Sequence, residues 1–303
     1  MSLVSGITPT CPDAVAARER TGARLMVTGG LLLGTIGVFF VEAGASPLTA
    51  VWFRCLFGAA TLLAWAAASG RLAELRLART GAAAALGSGV LMLLNWVLFF
   101  EAVERTSIGV ATVVFHVQPF WVMALAAWRF GERVTARQGL AGAVALVGLA
   151  LATGSFDAGA MAAARTPAYL VGIALCLAGS LSYAGVTLIA KSTREVTPLA
   201  MAWWQCVVGS VLAAAGPVWH GVLASGVGWW WLAGLGVLHT GLAYVVLFAG
   251  MARLPSGRIA VLQFVYPLTA IAVDALVYGH TLSSTQVAGV GLMALALSAA
   301  RRT

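Results

Sequence analysis

An all-α integral membrane protein, with ten transmembrane helices forming two inverted five-helix repeats, is the fold class that this sequence predicts. Three observations carry it. The 303 residues are 61% hydrophobic and only 9% charged, with a mean hydropathy of +0.94. Soluble domains carry roughly 25% charged residues, so this chain cannot cover a globule with polar surface. Ten apolar runs lie along it, each near the roughly 20 residues an α-helix needs to cross hydrocarbon. Finally, the chain repeats itself. Pro47, Leu48, Trp52, Cys55 and Gly58 recur at one spacing as Pro198, Leu199, Trp203, Cys206 and Gly209, while Arg105, Pro119, Gly131 and Gln138 recur as Arg253, Pro267, Gly279 and Gln286.

Residues 1–23 are polar, with Arg18 and Arg20, and predict a mobile cytoplasmic tail without an evident cleavable signal. The first repeat, 24–154, holds spans near 25–42, 47–68, 80–102, 107–129 and 135–153. An external connection at 155–167 contains Asp157 and Arg165, and the second repeat, 168–303, holds spans near 168–190, 198–219, 227–250, 257–278 and 284–300. The runs are continuous rather than alternating, which excludes a barrel. Gly30 and Gly34 are spaced as G-x-x-x-G, and Gly209 with Ala213 as small-x-x-x-small, both devices for close helix packing. Trp229, Trp230, Trp231 and Tyr278 fall near outer ends, where amphipathic rings favour the headgroup layer.

The net charge of +8 invites a nucleic-acid partner, but its distribution argues against one. With the N-terminus inside, 15 of the 18 cations lie in cytoplasmic segments, only Arg105 and Arg165 lie outside, and Arg54 is within a span. This is the positive-inside bias. It predicts a multi-pass protein of the cytoplasmic membrane with both termini cytoplasmic, and it checks the count of ten spans independently. The four cysteines make no disulfide framework, three of them lying inside spans.

Five spans per copy is an odd number, so the second copy enters the bilayer inverted. Inverted repeats are a construction plan of secondary transporters, with the substrate site where the halves meet. Short loops leave no room for a soluble catalytic domain. No G-x-x-x-x-G-K-[ST], G-x-S-x-G or H-E-x-x-H is present. The histidines lack any C-x-x-C or H-x-x-x-H company, so neither metal nor cofactor is expected.

Polar groups inside the spans are the candidates for a site, since each is costly unless paired or wetted. Arg54 and Asp274 lie in outer halves of their spans. They could pair with each other, Arg54 could meet Glu42 or Glu101 or snorkel outward, or both could flank a cavity and meet a zwitterion. Gln263, Pro267, Ala270 and Asp274 form one stripe at helical spacing, which should face the bundle interior. Asn95, His116, Gln118 and His239 come from neighbouring spans; the histidines could be satisfied hydrogen-bond partners or a proton relay. Trp96, Trp121, Tyr183, Trp203, Tyr244 and Tyr266 could pack the core or wall a pocket suited to a flat apolar group. Pro119 and Pro267, near mid-span, free the carbonyls of Phe115 and Gln263 and mark either static kinks or hinges beside a permeation path.

The stretch from Thr106 to Gly154 resembles the drug/metabolite transporter superfamily, specifically its EamA-type ten-helix exporters. The matching residues are Ser107-Ile108-Gly109-Val110-Ala111, Pro119, Gly131-Glu132-Arg133-Val134 and Gln138; the second copy keeps Pro255-Ser256-Gly257, Pro267, Gly279 and Gln286 but has His280 in place of Glu132. The resemblance implies helices one to four of each half around a central cavity, and export by alternating access without ATP. Among its branches, the aromatic amino-acid exporters (YddG-like) are the preferred reading. First-span residues 25–41 contain no acid, unlike the small multidrug exporters of similar sequence, and one deep cation is too few for a phosphorylated substrate. The expected partners are therefore the lipid bilayer and a small-molecule substrate, a neutral or aromatic amino acid. The rival readings are a hydrophobic-cation or multidrug exporter and, in another class, a membrane transferase.

Overall fold

The computed structural model describes residues 12–106, 108–153, 166–220, 226, 228–279 and 282–300. Among these there is no strand. Eight helices are long and apolar enough to cross a membrane, and two further apolar helices are shorter.

The first half begins with α1 (Pro12–Gly34), which breaks at Thr35 and continues as α2 (Ile36–Ala43). Next come α3 (Pro47–Ala68), α4 (Arg79–Arg105), α5 (Ile108–Phe115), α6 (Gln118–Phe130) and α7 (Ala136–Ala152). The second half comprises α8 (Pro167–Ser192), α9 (Pro198–Leu212), α10 (Ala215–His220) and α11 (Gly228–Gly234). A π-helical segment, Leu235–Leu242, joins α11 to α12 (Ala243–Met251), and α13 (Ser256–Leu262), α14 (Val265–Tyr278) and α15 (Ser284–Ala300) complete the chain.

These bounds follow the hydrophobic runs closely. One expectation needs correcting: residues 12–23, read as tail, are the first turns of α1. Their polar side chains hold them there, because Arg18 donates to the Ala252 carbonyl at 2.9 Å and Glu19 pairs with Arg258 at 2.7 Å. Residues 1–11, most of the 155–167 connection and His280 lie outside the described residues. The aromatic cluster also divides. Trp230 is exposed, whereas Trp229 packs edge-on against Phe53 and Trp231 against Phe39.

The helices pair in a pattern that survives exchange of the halves. α4 lies along α8 as α12 lies along α1; α6 lies along α8 as α14 lies along α1; α3 crosses α9, and α7 lies along α15. At 17 residues each, α7 and α15 are roughly 25 Å long, the short end of what can span a bilayer. At the α3–α9 crossing the contacts are reciprocal. A Cβ added to Gly58 would sit 3.0 Å from Cys206 Sγ, and one added to Gly209 would sit 2.5 Å from Cys55 Sγ. Each glycine makes the room that the opposite cysteine fills. The Gly30/Gly34 pair likewise seats against Val265 and Thr269 of α14.

Ser46 and Thr197 cap equivalent helices, accepting from the Thr49 and Ala200 amides. Trp204 Nε1, about two turns beyond Thr197 on the helix it caps, donates to the Leu75 carbonyl at 3.0 Å. Leu75 follows the C-terminal end of α3, so the Thr197 end of α9 lies at the far end of that helix from Ser46. Gln138 and Gln286, repeated in the sequence, are the helix-starting glutamines of reciprocal caps with Thr135 and Ser283.

Candidate functional site

Both mid-span prolines coincide with breaks. α5 ends at Phe115 and α6 starts at Gln118, while α13 ends at Leu262 and α14 starts at Val265. The break falls just before the proline in each case, since the ring displaces the preceding backbone and cannot donate. The backbone tightens there: Val117 N donates to Val114 O, and Phe264 N to Val261 O, both at 3.1 Å. These interruptions turn Phe115 and His116 from one half, and Gln263 from the other, onto the wall of one cavity.

That cavity has a volume of about 770 Å³ and lies between the halves. Met26, Met251 and Leu262 form an apolar floor, and the walls reach Val41, Tyr278 and Leu282 at the opposite end. Nine sequence-predicted site residues line it: Arg54, Asn95, Trp96, His116, Gln118, Tyr183, Tyr244, Gln263 and Tyr266. Pro267 and Ala270 of the predicted stripe also line it; the side chain of Asp274 lies outside the described residues.

Arg54 is 7% exposed and does not snorkel. Its Nε donates to Thr240 Oγ1 at 2.9 Å, and its guanidinium lies over the Trp96 ring at 4.3 Å. Trp96 and Tyr244 occupy matching positions in the two halves and face each other with centroids 6.5 Å apart. Neither boundary carboxylate serves Arg54: Glu101 pairs with Arg105, and Glu42 accepts from the Tyr278 hydroxyl at 3.2 Å. His116 bonds the Thr112 carbonyl at 2.6 Å and stacks on Tyr266.

Several buried polar atoms on this wall have no protein partner: one terminal nitrogen of Arg54, Asn95 Oδ1, Gln118 Nε2, and both amide atoms of Gln263. An unsatisfied buried group costs about 1–3 kcal/mol, and here donors and acceptors converge on one space. They can receive a small solute with a negative group near Arg54 and hydrogen-bonding atoms near the amides. Among the described lining residues there is no carboxylate.

Three expected site residues lie off the wall. Trp121 donates to Ser180 Oγ at 3.1 Å, and Trp203 packs edge-on against Trp204. His239 belongs to the π-helical segment, with Nε2 2.8 Å from Thr35 Oγ1. Pro119 is buried but does not line the cavity. Sequence reading missed Thr240, which holds Arg54, because nothing in composition signals a π-helical turn. Among the described residues no cluster of His, Cys, Asp and Glu could hold a metal ion.

Beyond the floor, the other end is closed by residues from both halves. Lys191 bonds Glu132 and donates to Ser256 Oγ at 2.6 Å, and the Ser256 amide donates to Glu132 at 3.0 Å. A Cβ on Gly257 would collide with the Gln138 amide. Burial pushes the Glu132 carboxyl up, but the Lys191 ammonium and the Ser256 donors outweigh it and hold it below its ordinary value.

A model of the EamA-like transporter family matches residues 20–154 and again 170–300. The chain is 25% identical to an uncharacterized transporter, YxxF, of Bacillus subtilis (strain 168), over 96% of this chain and 93% of that one. It is 27% identical to an uncharacterized transporter of Archaeoglobus fulgidus, over 91% of this chain and 94% of that one. A solved crystal structure superposes with a TM-score of 0.81 at 18% identity, covering 93% of this chain and 97% of the other, a likeness of fold.

Proposed function

The chain belongs to the EamA-like transporter family of the drug/metabolite transporter superfamily, and on that premise we propose a secondary carrier that exports neutral and aromatic amino acids across the cytoplasmic membrane. The observation that carries the substrate reading is the buried Arg54 guanidinium, with an unpartnered nitrogen, on a cavity wall rich in rings and unmatched amides. The cation would take the carboxylate, Asn95 Oδ1 and Gln263 Oε1 would accept from the amine, and Trp96, Tyr183, Tyr244 and Tyr266 would flank the side chain. A hydrophobic cation fits worse, because Arg54 repels it and no described carboxylate on the wall receives it. On this reading the protein stands nearest the aromatic amino-acid exporter branch.

Transport proceeds by alternating access between two inverted five-helix repeats, ten helices in all. Placement of Ser46 and Thr197 at opposite ends of α3, and the exchange pattern of the helix pairs, support the inversion. The cavity reaches the end at Val41 and Tyr278 while the Glu132–Lys191–Ser256 cluster closes the other, as one state of such a cycle would require. Pro119 and Pro267 supply the flex points.

Purified protein in liposomes, assayed against phenylalanine, tryptophan, leucine and a hydrophobic cation with and without a pH gradient, tests the reading. Phenylalanine flux competed by tryptophan and not by the cation is expected, and Arg54→Ala should reduce it about tenfold or more without changing insertion. Cation flux without amino-acid flux would overturn the substrate assignment. Covalent turnover of a lipid would revive the transferase.

A further inference from the structure

Arg54 and the cavity mouth are joined through one short segment. Thr240 and His239 are neighbours in the π-helical turn Leu235–Leu242, and each bonds back to the carbonyl five residues earlier, Thr240 Oγ1 to Leu235 at 2.9 Å and His239 Nδ1 to Gly234 at 3.2 Å. Thr240 also holds Arg54 Nε at 2.9 Å. The second nitrogen of His239 meets Thr35 Oγ1 at 2.8 Å, and Thr35 is the residue at which α1 breaks before α2. Its hydroxyl also lies 2.8 Å from the Leu32 carbonyl, so its one proton is divided between the ring nitrogen of His239 and the broken turn.

α2 is a wall of the cavity, contributing Ile36, Val38, Phe40 and Val41. It is seated on the same segment from the side, with Phe39 edge-on to His239 at 4.6 Å and occupying the space where Gly234 lacks a side chain. π-helical turns are rare and cluster at functional sites, because the extra residue weakens the local ladder and re-aims the side chains around it. Here the turn aims one side chain at the cavity's cation and the next at the helix break. Any shift of Arg54 therefore loads Thr240, and through the shared turn His239, Thr35 and the base of α2.

We propose that His239 is a positioning residue that ties the Arg54 guanidinium to the angle of α2, so that occupation of Arg54 changes access through the mouth of the cavity. The proposal rests on the transport reading for its purpose, but its test needs no substrate. Val41, 60% exposed, is replaced by cysteine in a Cys11→Ser background, the remaining cysteines being buried. Its labelling by a membrane-impermeant maleimide then reports the position of α2.

Arg54→Gln is expected to change the labelling rate by about threefold or more, and to lose that effect when combined with His239→Leu. Thr35→Val should mimic His239→Leu, and His239→Gln, which keeps a hydrogen-bonding group opposite Thr35, should restore the response to Arg54→Gln. An Arg54→Gln effect of equal size with His239 intact and in the His239→Leu variant would overturn the linkage, as would no effect in either. Failure of phenylalanine flux in liposomes would sink the substrate assignment alone and leave this cycle standing.

Discussion

The Arg54 guanidinium lies 4.3 Å from the centre of the Trp96 ring, and these two residues come from adjacent spans of the same half. A cation over a ring face gains up to about 2 kcal/mol when both are shielded from water. Stacking, with the bond to Thr240, keeps the head group deep in the bundle while one nitrogen stays unmatched.

Trp96→Ala should therefore raise the half-saturation concentration for phenylalanine, by about tenfold from the lost contact, with a smaller effect on maximal flux. Trp96→Phe should recover most of the loss. Initial-rate measurements in liposomes check both, and an unchanged half-saturation for Trp96→Ala would remove the ring from substrate recognition.

Glu132 gives a pH prediction with a definite sign. Its folded value lies below the ordinary 4.5, so the stabilisation it provides is intact above that pH and is lost as pH falls through the lower folded value. The melting temperature of the wild type should fall more steeply than that of Glu132→Gln as the pH is lowered past about 4.5. Parallel curves for the two proteins would show that the bonds to Lys191 and Ser256 contribute nothing measurable.

The α3–α9 crossing predicts a rescue. Gly209→Ala places a methyl group 2.5 Å from Cys55 Sγ, too close to keep the present approach. The single variant should lower the melting temperature or the yield of folded protein. Adding Cys55→Ala removes the sulfur and leaves Cβ at an ordinary 3.5 Å, so the double variant should recover. Additive damage would mean that the strain is relieved elsewhere.

Removing the prolines should separate stability from rate. Pro119→Ala and Pro267→Ala each permit a backbone bond that the ring forbids, in a setting where an interior proline costs about 3 kcal/mol. Each should hold or raise the melting temperature while lowering maximal phenylalanine flux. Undiminished flux in both would reduce the breaks to static features.

Much of this architecture could be read from the chain because hydrocarbon imposes a length on every crossing segment, so the apolar runs and the helices end within a few residues of each other. Pro119 and Pro267 located the breaks because no partner exists for a proline nitrogen. Arg54 declared itself by depth alone. Other features left no such mark. Residues 12–23 read as tail because their polarity hides a helix that continues past the apolar run and is held by Arg18 and Glu19. The turn at Leu235–Leu242 contains no proline or charge, and it decides that His239 meets Thr35 instead of the cavity. Trp121 and Trp203 sit in helices whose apolar faces are too broad for spacing to tell pocket from packing.

The two helix breaks carry opposite chemistry at equivalent places: Phe115 then His116 in one half, Gln263 then Phe264 in the other. A duplicated scaffold would by itself present a guest with two indistinguishable poses, head for tail. Divergence of these few positions, and of Arg54 from its counterpart Gln205, leaves the cavity polarised along one direction. Selectivity in such a protein can drift through substitutions in either half while the mirrored glycine–cysteine crossing keeps the frame unchanged.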